Sequence, residues 1–229
     1  MKKSLLTLII VMCSLGFAVS QVVNYDQLEK RARIAYLKGT DKPFTGTAKS
    51  YYKNGAVKND ITFVNGQKEG NYKVFYESGK IKSVKLYNDN KLEGEVIVWY
   101  ESGKFERKVM FSADKKNGLF QSWHENGQLK SKGMYINNKK TGIHTGWYEN
   151  GKKESEGNFV DDAEDGVHSA WYENGQLASQ ITYRGGEKGE TKYWTKAGKL
   201  MTPSEVQAML QQQNNNLMQM WITTQTDND

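Results

Sequence analysis

The sequence predicts an all-β protein: an elongated, single-layer antiparallel sheet of stacked 24-residue β-hairpins, followed by a short C-terminal helix. Three observations predict this class, and the first is a glycine every 24 residues: Gly46, Gly70, Gly94, Gly118, Gly142 and Gly166. A second set of glycines keeps the same interval: Gly55, Gly79, Gly103, Gly127, Gly151 and Gly175. Aromatic residues recur at that interval too. A fixed period of this length indicates an array of stacked repeats.

Each unit is predicted to be one hairpin, as residues 118–141 illustrate. The first half is extended and ends in the pair Trp123 and His124. The letters ENG at 125–127 supply a tight turn, because Asn-Gly tolerates the positive φ that a hairpin loop demands. A second strand follows over 129–135, and the polar letters NNKK lead into the next unit. Two strands and two turns leave no room for a helix in the unit.

Two adjacent aromatic positions close the first strand of the units. The first position forms the tryptophan row: Tyr51, Phe75, Trp99, Trp123, Trp147, Trp171 and Trp194. The second position forms the tyrosine row, in which a histidine replaces one tyrosine: Tyr52, Tyr76, Tyr100, His124, Tyr148 and Tyr172. Because neighbours in a strand point to opposite faces, the two rows are predicted on opposite sides of the sheet. Each cross-strand aromatic contact contributes about 0.2–1 kcal/mol.

The segment before the array has two parts. Residues 1–20 have the layout of a secretory signal peptide, with Lys2 and Lys3, an apolar run over 5–11 and small residues before position 21. The run is shorter than the roughly 20 residues of a membrane-spanning helix. We therefore predict export to the periplasm, the cell surface or the medium. Residues 21–45 are predicted to be a lead-in or cap, with a polar strand that turns at 42–43 into the array at 46–200.

Residues 201–229 are predicted to be a capping helix with a frayed tail. Thr202 suits the N-cap position, Pro203 suits the first helical position, and Glu205 completes a capping box. The following apolar residues share one stripe: Val206, Met209, Leu210 and Leu217. Such a helix would protect an exposed sheet edge from pairing with other chains.

The composition agrees with a thin sheet. Hydrophobic residues make up 37% and the mean hydropathy is −0.76, which is too polar for a thick core, yet aromatic residues reach 12%. Cys13, the only cysteine, lies in the predicted signal peptide, so the remaining chain has no disulfide or thiolate ligand. The net charge of +6 is dispersed along the chain. It weakly favours an anionic partner and does not indicate nucleic acid.

The repeated letters resemble a known family. The chain contains WYESGK at 99–104, WHENGQL at 123–129, WYENGK at 147–152 and WYENGQL at 171–177, and the lead-in KPFTG stands at 42–46. These units resemble the MORN repeat variant, including proteins labelled as YwqK-type antitoxins. The last unit departs from the pattern, with WTKAG at 194–198. The resemblance implies a scaffold or binding protein, and MORN arrays are associated with protein scaffolding and membrane-lipid contact.

Catalytic and cofactor chemistry is not predicted. The chain has three histidines and no Ser/His/Asp ordering, phosphate loop or zinc spacing. His144 and His168 occupy one repeat position and are expected about 10 Å apart, with no further ligands between them. The letters DDAEDG at 161–166 could hold Ca²⁺ or be a solvated turn, and we favour the turn. We therefore predict no enzyme, no cofactor, no metal site and no small-molecule substrate.

The predicted function is that of an exported, non-enzymatic binding or scaffold protein that engages a protein or a surface through its aromatic sheet. One alternative is a toxin-neutralising partner. Another is contact with an anionic membrane surface or glycan through lysines at one rim. The candidate binding residues belong to the two aromatic rows and to that rim: Trp99, Trp123, Trp147, Trp171, Tyr100, Tyr148, Tyr172, Lys115, Lys116, Lys139 and Lys140.

Overall fold

The structure is a computed structural model that describes the backbone of residues 21–226 and the side chains up to residue 219. The predicted signal peptide at 1–20 and the end of the tail at 227–229 lie outside the described residues. The described chain begins with strand β1 (Gln21–Asn24) and a single 3₁₀ turn (Tyr25–Gln27). A small hairpin of β2 (Leu28–Arg31) and β3 (Ile34–Leu37) follows.

The array consists of fourteen further strands. They are β4 (Gly46–Tyr51), β5 (Val57–Val64), β6 (Gln67–Phe75), β7 (Ile81–Asn88), β8 (Lys91–Leu92), β9 (Gly94–Trp99), β10 (Phe105–Ser112), β11 (Lys115–Trp123), β12 (Leu129–Ile136), β13 (Lys139–Trp147), β14 (Lys153–Val160), β15 (Ala163–Trp171), β16 (Leu177–Arg184) and β17 (Glu187–Tyr193). Together with β1 they form one 15-stranded sheet in which sequential strands are neighbours. Only the pairing of β1 with β4 is parallel. The predicted fold class, a single-layer sheet of stacked hairpins, is confirmed.

The register follows the 24-residue period. Gly118 lies opposite Tyr135 and Trp123 lies opposite Leu129, so one repeat folds back on itself as one hairpin. The next pair of strands shifts register between Lys132 and Met134. Equivalent shifts recur in the other repeats. At each shift, two or three residues that include the first glycine of a repeat, which we call its lead glycine, lie opposite one residue of the partner strand.

Two kinds of turn alternate along the sheet. At one edge, both central residues have positive φ, as in Asn137 (50°) and Asn138 (73°), the conformation of a two-residue type I′ turn. At the other edge, only the glycine of the ENG turn has positive φ, as in Gly127 (96°). The prediction that the asparagine of this turn also adopts a positive φ was wrong. Its side chain instead bonds two backbones: Asn126 Oδ1 accepts from the Gln128 amide at 2.8 Å, and its Nδ2 donates to the Glu149 carbonyl of the next repeat at 2.6 Å.

Ala113 occupies a turn position at which alanine is unfavourable. Its φ is 47°, whereas asparagine or aspartate fills the equivalent positions at 65, 89, 137 and 161. The left-handed conformation costs an ordinary L-residue about 1–2 kcal/mol, and asparagine tolerates it better. We expect Ala113→Asn to stabilise the protein by about 0.5–1 kcal/mol in chemical denaturation. Ala178→Asn, in a strand, is the control, and an Ala113→Asn variant no more stable than the parent would contradict the account.

The N-terminal segment is a hairpin rather than the single polar strand that the sequence suggested. The Ala32–Arg33 turn, at φ 48° and 72°, reverses the chain and pairs β2 with β3 in a separate two-stranded sheet. The hairpin packs on one face of the first repeat and closes the main hydrophobic cluster: Val23, Ala35, Phe44, Ala48, Ile61 and Phe63. Backbone bonds from Ala35 N to the Gly66 carbonyl and from Phe44 N to the Ala35 carbonyl hold it there.

The C-terminal helix α1 (Pro203–Thr226) has 24 residues, which makes it longer than predicted. Its predicted start is confirmed, since Thr202 N donates to Glu205 Oε2 at 2.7 Å and Glu205 N donates to Thr202 Oγ1 at 3.3 Å. No glycine or proline interrupts the helix after Pro203, so nothing in its sequence ends it early. Leu210 is 42% exposed and Leu217 is 60% exposed. The apolar stripe is therefore largely uncovered beyond the first turns.

Candidate binding trough

The two faces of the sheet differ in how they are covered. We call the face that packs against the β2–β3 hairpin the front face, and the other the back face. The hairpin covers the front face at the first repeat, where Ala48, Ile61 and Phe63 are buried. In the third repeat the sheet's own side chains fill the front face, where Val96, Val98 and Val109 are buried. The front face is therefore covered in the first repeat and filled by valines in the third.

The front face is open over the fourth to sixth repeats, where it forms what we call the trough. The residues that replace Val98 are small, since Gly146 and Ala170 occupy its position. Gly133 and Gly157 occupy the position of Val109, and the rings of His144 and His168 lie over them. The trough has a volume of about 560 Å³. Serines supply part of its floor, aromatic rings supply one wall, and Lys140 and Glu164 lie at the rim.

A continuous ladder of rings forms the wall of the trough. It runs Phe120, Tyr135, His144, Phe159, His168 and Tyr183, with successive ring centroids 5.9, 5.4, 5.2, 5.0 and 5.0 Å apart. Every contact is edge-to-face, the arrangement that aromatic quadrupoles favour. The two histidines share one repeat position, as the sequence indicated, and the Phe159 ring separates them.

The histidines lie over glycines of the preceding strand. A Cβ atom added to Gly133 would stand 2.5 Å from Cγ of His144, and the same holds for Gly157 and His168. His144 Nε2 bonds the Met134 carbonyl at 2.9 Å, and His168 Nε2 bonds the Asn158 carbonyl at 2.7 Å. Because a carbonyl only accepts, Nε2 carries the proton in both rings. These bonds fall at the register shifts, where the strand ladder is interrupted.

Burial lowers the pKa of His144 below its usual value of 6.5, and the nearby Lys140 charge lowers it further against the opposing hydrogen bond to Met134. A pKa depressed on folding gives stability that is complete above about pH 6.5 and is lost as the pH falls through the folded-state pKa. We expect the denaturant concentration at the midpoint of unfolding to be lower at pH 5.5 than at pH 7. His144→Phe, which copies Phe120 at the equivalent position, should reduce that fall, and an unchanged pH profile would contradict the assignment.

The tyrosine row serves as a set of hydrogen bonds between repeats. Tyr100 Oη donates to the Trp123 carbonyl at 2.8 Å, Tyr148 Oη to the Trp171 carbonyl at 2.7 Å, and Tyr172 Oη to the Trp194 carbonyl at 2.7 Å. His124 takes the same role, with Nε2 bonded to the Trp147 carbonyl at 2.7 Å. Three candidate binding tyrosines thus have hydroxyl groups that are already used within the chain. Their contact with a partner stays a prediction.

The tryptophan row lies half-buried on the back face. Phe105 stands between Trp99 and Trp123, with ring centroids 6.0 and 5.7 Å away. The Lys153 ammonium lies over the Trp171 ring at 5.6 Å. The back face also exposes single apolar side chains: Met134, Ile136, Ile143, Val160 and Val167.

The lysines predicted to line one rim divide between the two faces. Lys116 lies over the Tyr135 ring at 4.9 Å and Lys140 over the Phe159 ring at 4.7 Å, so both belong to the front face. Lys115 and Lys139 are exposed on the other side, and Lys139 pairs with Asp161 at 4.0 Å. The four ammonium groups therefore do not form one continuous cationic surface.

The acidic turn at 161–166 is a structural turn. Asp162 Oδ1 accepts from the Lys140 amide at 2.8 Å, as Asn138 does from the Lys116 amide one repeat earlier. Within the described residues, no cluster of His, Cys, Asp and Glu side chains is arranged to hold a metal ion. No helix in that part of the chain is long and apolar enough to cross a membrane.

The trough was not predicted from the sequence, although a comparison of equivalent positions in the repeats indicates it. Aligning the repeats places Val74 and Val98 in register with Gly146 and Ala170, which line the trough. At these positions a small residue leaves space that a valine fills in an earlier repeat. The candidate binding residues were instead chosen from the aromatic rows and the lysine rim. Of those candidates, only Lys140 lines the trough.

Comparison with known proteins agrees with the repeat geometry. The family described as MORN repeat variant matches six consecutive segments, which together make up more than half of the chain: 44–65, 68–89, 92–113, 116–137, 140–161 and 164–184. No curated protein matches the chain. MORN repeat proteins are generally non-enzymatic repeat proteins that bind or scaffold. The repeats, their hairpin fold and this match together place the chain in the MORN repeat variant family.

Proposed function

We propose that this chain is an exported, non-enzymatic binding protein whose partner, a protein or a surface polymer, occupies the trough of the fourth to sixth repeats. One observation carries the proposal: the front face is covered by a hairpin in the first repeat, filled with valines in the third, and left open over the fourth to sixth. Concave sites with aromatic walls and a few polar groups are typical of binding sites.

The trough is favoured over the two surfaces selected from the sequence. The tyrosine row has its hydroxyl groups bonded to carbonyls, and the tryptophan row is half-buried among its own neighbours. Neither offers a concave surface. The lysine rim is split between the two faces, which weakens the case for binding an anionic membrane.

Export is part of the proposal and rests on the layout of residues 1–20. A protein exposed to the envelope or the medium benefits from the absence of cysteine beyond Cys13, because oxidation cannot cross-link it. N-terminal sequencing of the protein recovered from envelope and culture fractions should begin at Gln21. Recovery with Met1 intact from the cytosol would contradict export.

The binding proposal predicts that filling the trough abolishes partner binding without unfolding the sheet. Arg107 occupies the position of Ser155 in the third repeat, so the fold accommodates Ser155→Arg. We expect this variant to lose at least about 90% of the partner retained from envelope extract by the parent protein, a tenfold change worth about 1.4 kcal/mol. Retention would be measured on protein immobilised after expression of the full-length chain.

The matched control is Thr182→Arg, which adds the same charge to an exposed back-face position in the same half of the array. It should retain the partner as the parent does, and both variants should keep the parent's circular dichroism and melting temperature. Equal retention by the parent and Ser155→Arg would overturn the trough as the binding site.

A further inference from the structure

We infer that the trough binds a neutral β-1,4-linked glycan strand laid across the strands, with two sugar residues for each repeat. The inference deepens the proposed function and rests on it, since it names the chemical class of the partner in the same site. It is carried by the spacing, the chemistry and the charge of the groups that line the trough.

The trough presents the same groups at a fixed interval. Ser131, Ser155 and Ser179 stand one repeat apart, as do Tyr135, Phe159 and Tyr183. One repeat is two strands wide, or about 10 Å at the usual spacing of hydrogen-bonded strands. A ligand whose own period matches this interval makes the same contacts in each of three repeats.

A β-1,4-linked glycan has a period of this length. Successive sugars are flipped about the chain axis, so the structure repeats every second sugar, and that disaccharide is close to two strand spacings long. The sheet twist of about 20–25° per strand turns each set of contacts relative to the last. The glycosidic torsions of an oligosaccharide can follow that rotation over three repeats.

An extended peptide does not match the interval. Its side chains on one face recur every two residues, about 6.7 Å, so contacts made in one repeat are out of phase in the next. The side chains on one face of a polyproline II helix recur about every 9.3 Å, which fits the repeat spacing better than an extended strand does. Its prolines carry no N–H donor, however, and therefore cannot satisfy acceptor groups of the trough such as the Glu164 carboxylate.

The polar groups of the trough suit hydroxyl groups, which both donate and accept. Serine hydroxyls on the floor can do both, the Lys140 ammonium can only donate, and the Glu164 carboxylate can only accept. Aromatic rings along the wall provide apolar surface for the C–H faces of sugar rings. The charged residues that line the trough are Lys140, Glu156 and Glu164, and the Glu156 carboxylate is paired with the Lys153 ammonium at 2.7 Å. The trough is therefore near neutral, which does not favour a strongly anionic polymer.

The test is calorimetric titration of the purified protein, expressed from the full-length chain, with β-1,4-linked N-acetylglucosamine oligomers of two, four and six sugars and with cellohexaose. We expect affinity to rise about tenfold from the tetramer to the hexamer of the better-bound series, because the hexamer spans all three open repeats. Ser155→Arg should weaken hexamer binding at least tenfold, whereas Thr182→Arg should bind as the parent does.

Several results would overturn the inference: no heat with either hexamer at millimolar concentration, equal affinity for dimer and hexamer, or hexamer binding unaffected by Ser155→Arg. Tight binding of a proline-rich peptide in place of the glycans, lost in Ser155→Arg, would overturn it in favour of a polyproline ligand. If neither hexamer binds while Ser155→Arg still loses the partner from envelope extract, the glycan is wrong and the proposed function stands. If Ser155→Arg retains that partner, the proposed function itself fails.

Discussion

Gly133→Ala is expected to destabilise the protein by about 1–3 kcal/mol, the usual cost of overpacking a tight contact. The added Cβ would stand 2.5 Å from Cγ of the His144 ring that lies over the glycine. The imidazole must then move away, which breaks its bond to the Met134 carbonyl and its edge-to-face contacts with Tyr135 and Phe159. Chemical denaturation followed by circular dichroism would measure the loss.

The same collision can be relieved by shortening the partner. In the last repeat Ile181 lies opposite Thr191, so a larger residue at the glycine position coexists there with a smaller one at the histidine position. Gly133→Ala combined with His144→Thr should therefore be more stable than Gly133→Ala alone. Lys132→Ala, exposed on the back face of the same strand, is the control and should cost less than about 0.5 kcal/mol. Equal stability of the parent and Gly133→Ala would contradict the contact.

The repeat period made most of the fold predictable from the sequence. Lead and turn glycines at a fixed interval located every hairpin of the array, and Thr202 with Glu205 located the start of the helix. The glycine signal can be read directly from its period, and the capping signal is local because Thr202 and Glu205 are three positions apart. The N-terminal hairpin was missed because its turn is formed by Ala32 and Arg33, which are not turn-forming letters.

The contacts between repeats were harder to foresee. Tyr148 donates to a backbone carbonyl 23 residues ahead, and every residue type has such a carbonyl. The sequence therefore gives no sign of this bond, and Tyr148 was predicted to be available to a partner. The asparagine of the ENG turn acts in the same way on the carbonyl of Glu149. The trough has small residues, Gly146 and Ala170, where earlier repeats have valine, and that difference is visible only when repeats are compared position by position.

Tyr148→Phe is expected to destabilise the protein by about 1 kcal/mol, because it removes the hydroxyl that satisfies the half-buried Trp171 carbonyl. Tyr100→Phe should cost a similar amount through the Trp123 carbonyl. The two sites lie two repeats apart and share no partner, so the double variant should lose about 2 kcal/mol. Denaturation of the two single variants and the double variant would give these values.

His124→Tyr is the matched control, because it exchanges one donor of the row for the other and keeps a bond to the Trp147 carbonyl. Its stability should stay within about 0.5 kcal/mol of the parent's. In an array where each repeat contacts only its neighbours, stability is the sum of repeat terms and interface terms. Tyr148→Phe weakens one interface, so the repeats beyond it should gain faster amide hydrogen exchange than those before it. Uniform exchange along the sheet would show that the tyrosine row does not couple the repeats.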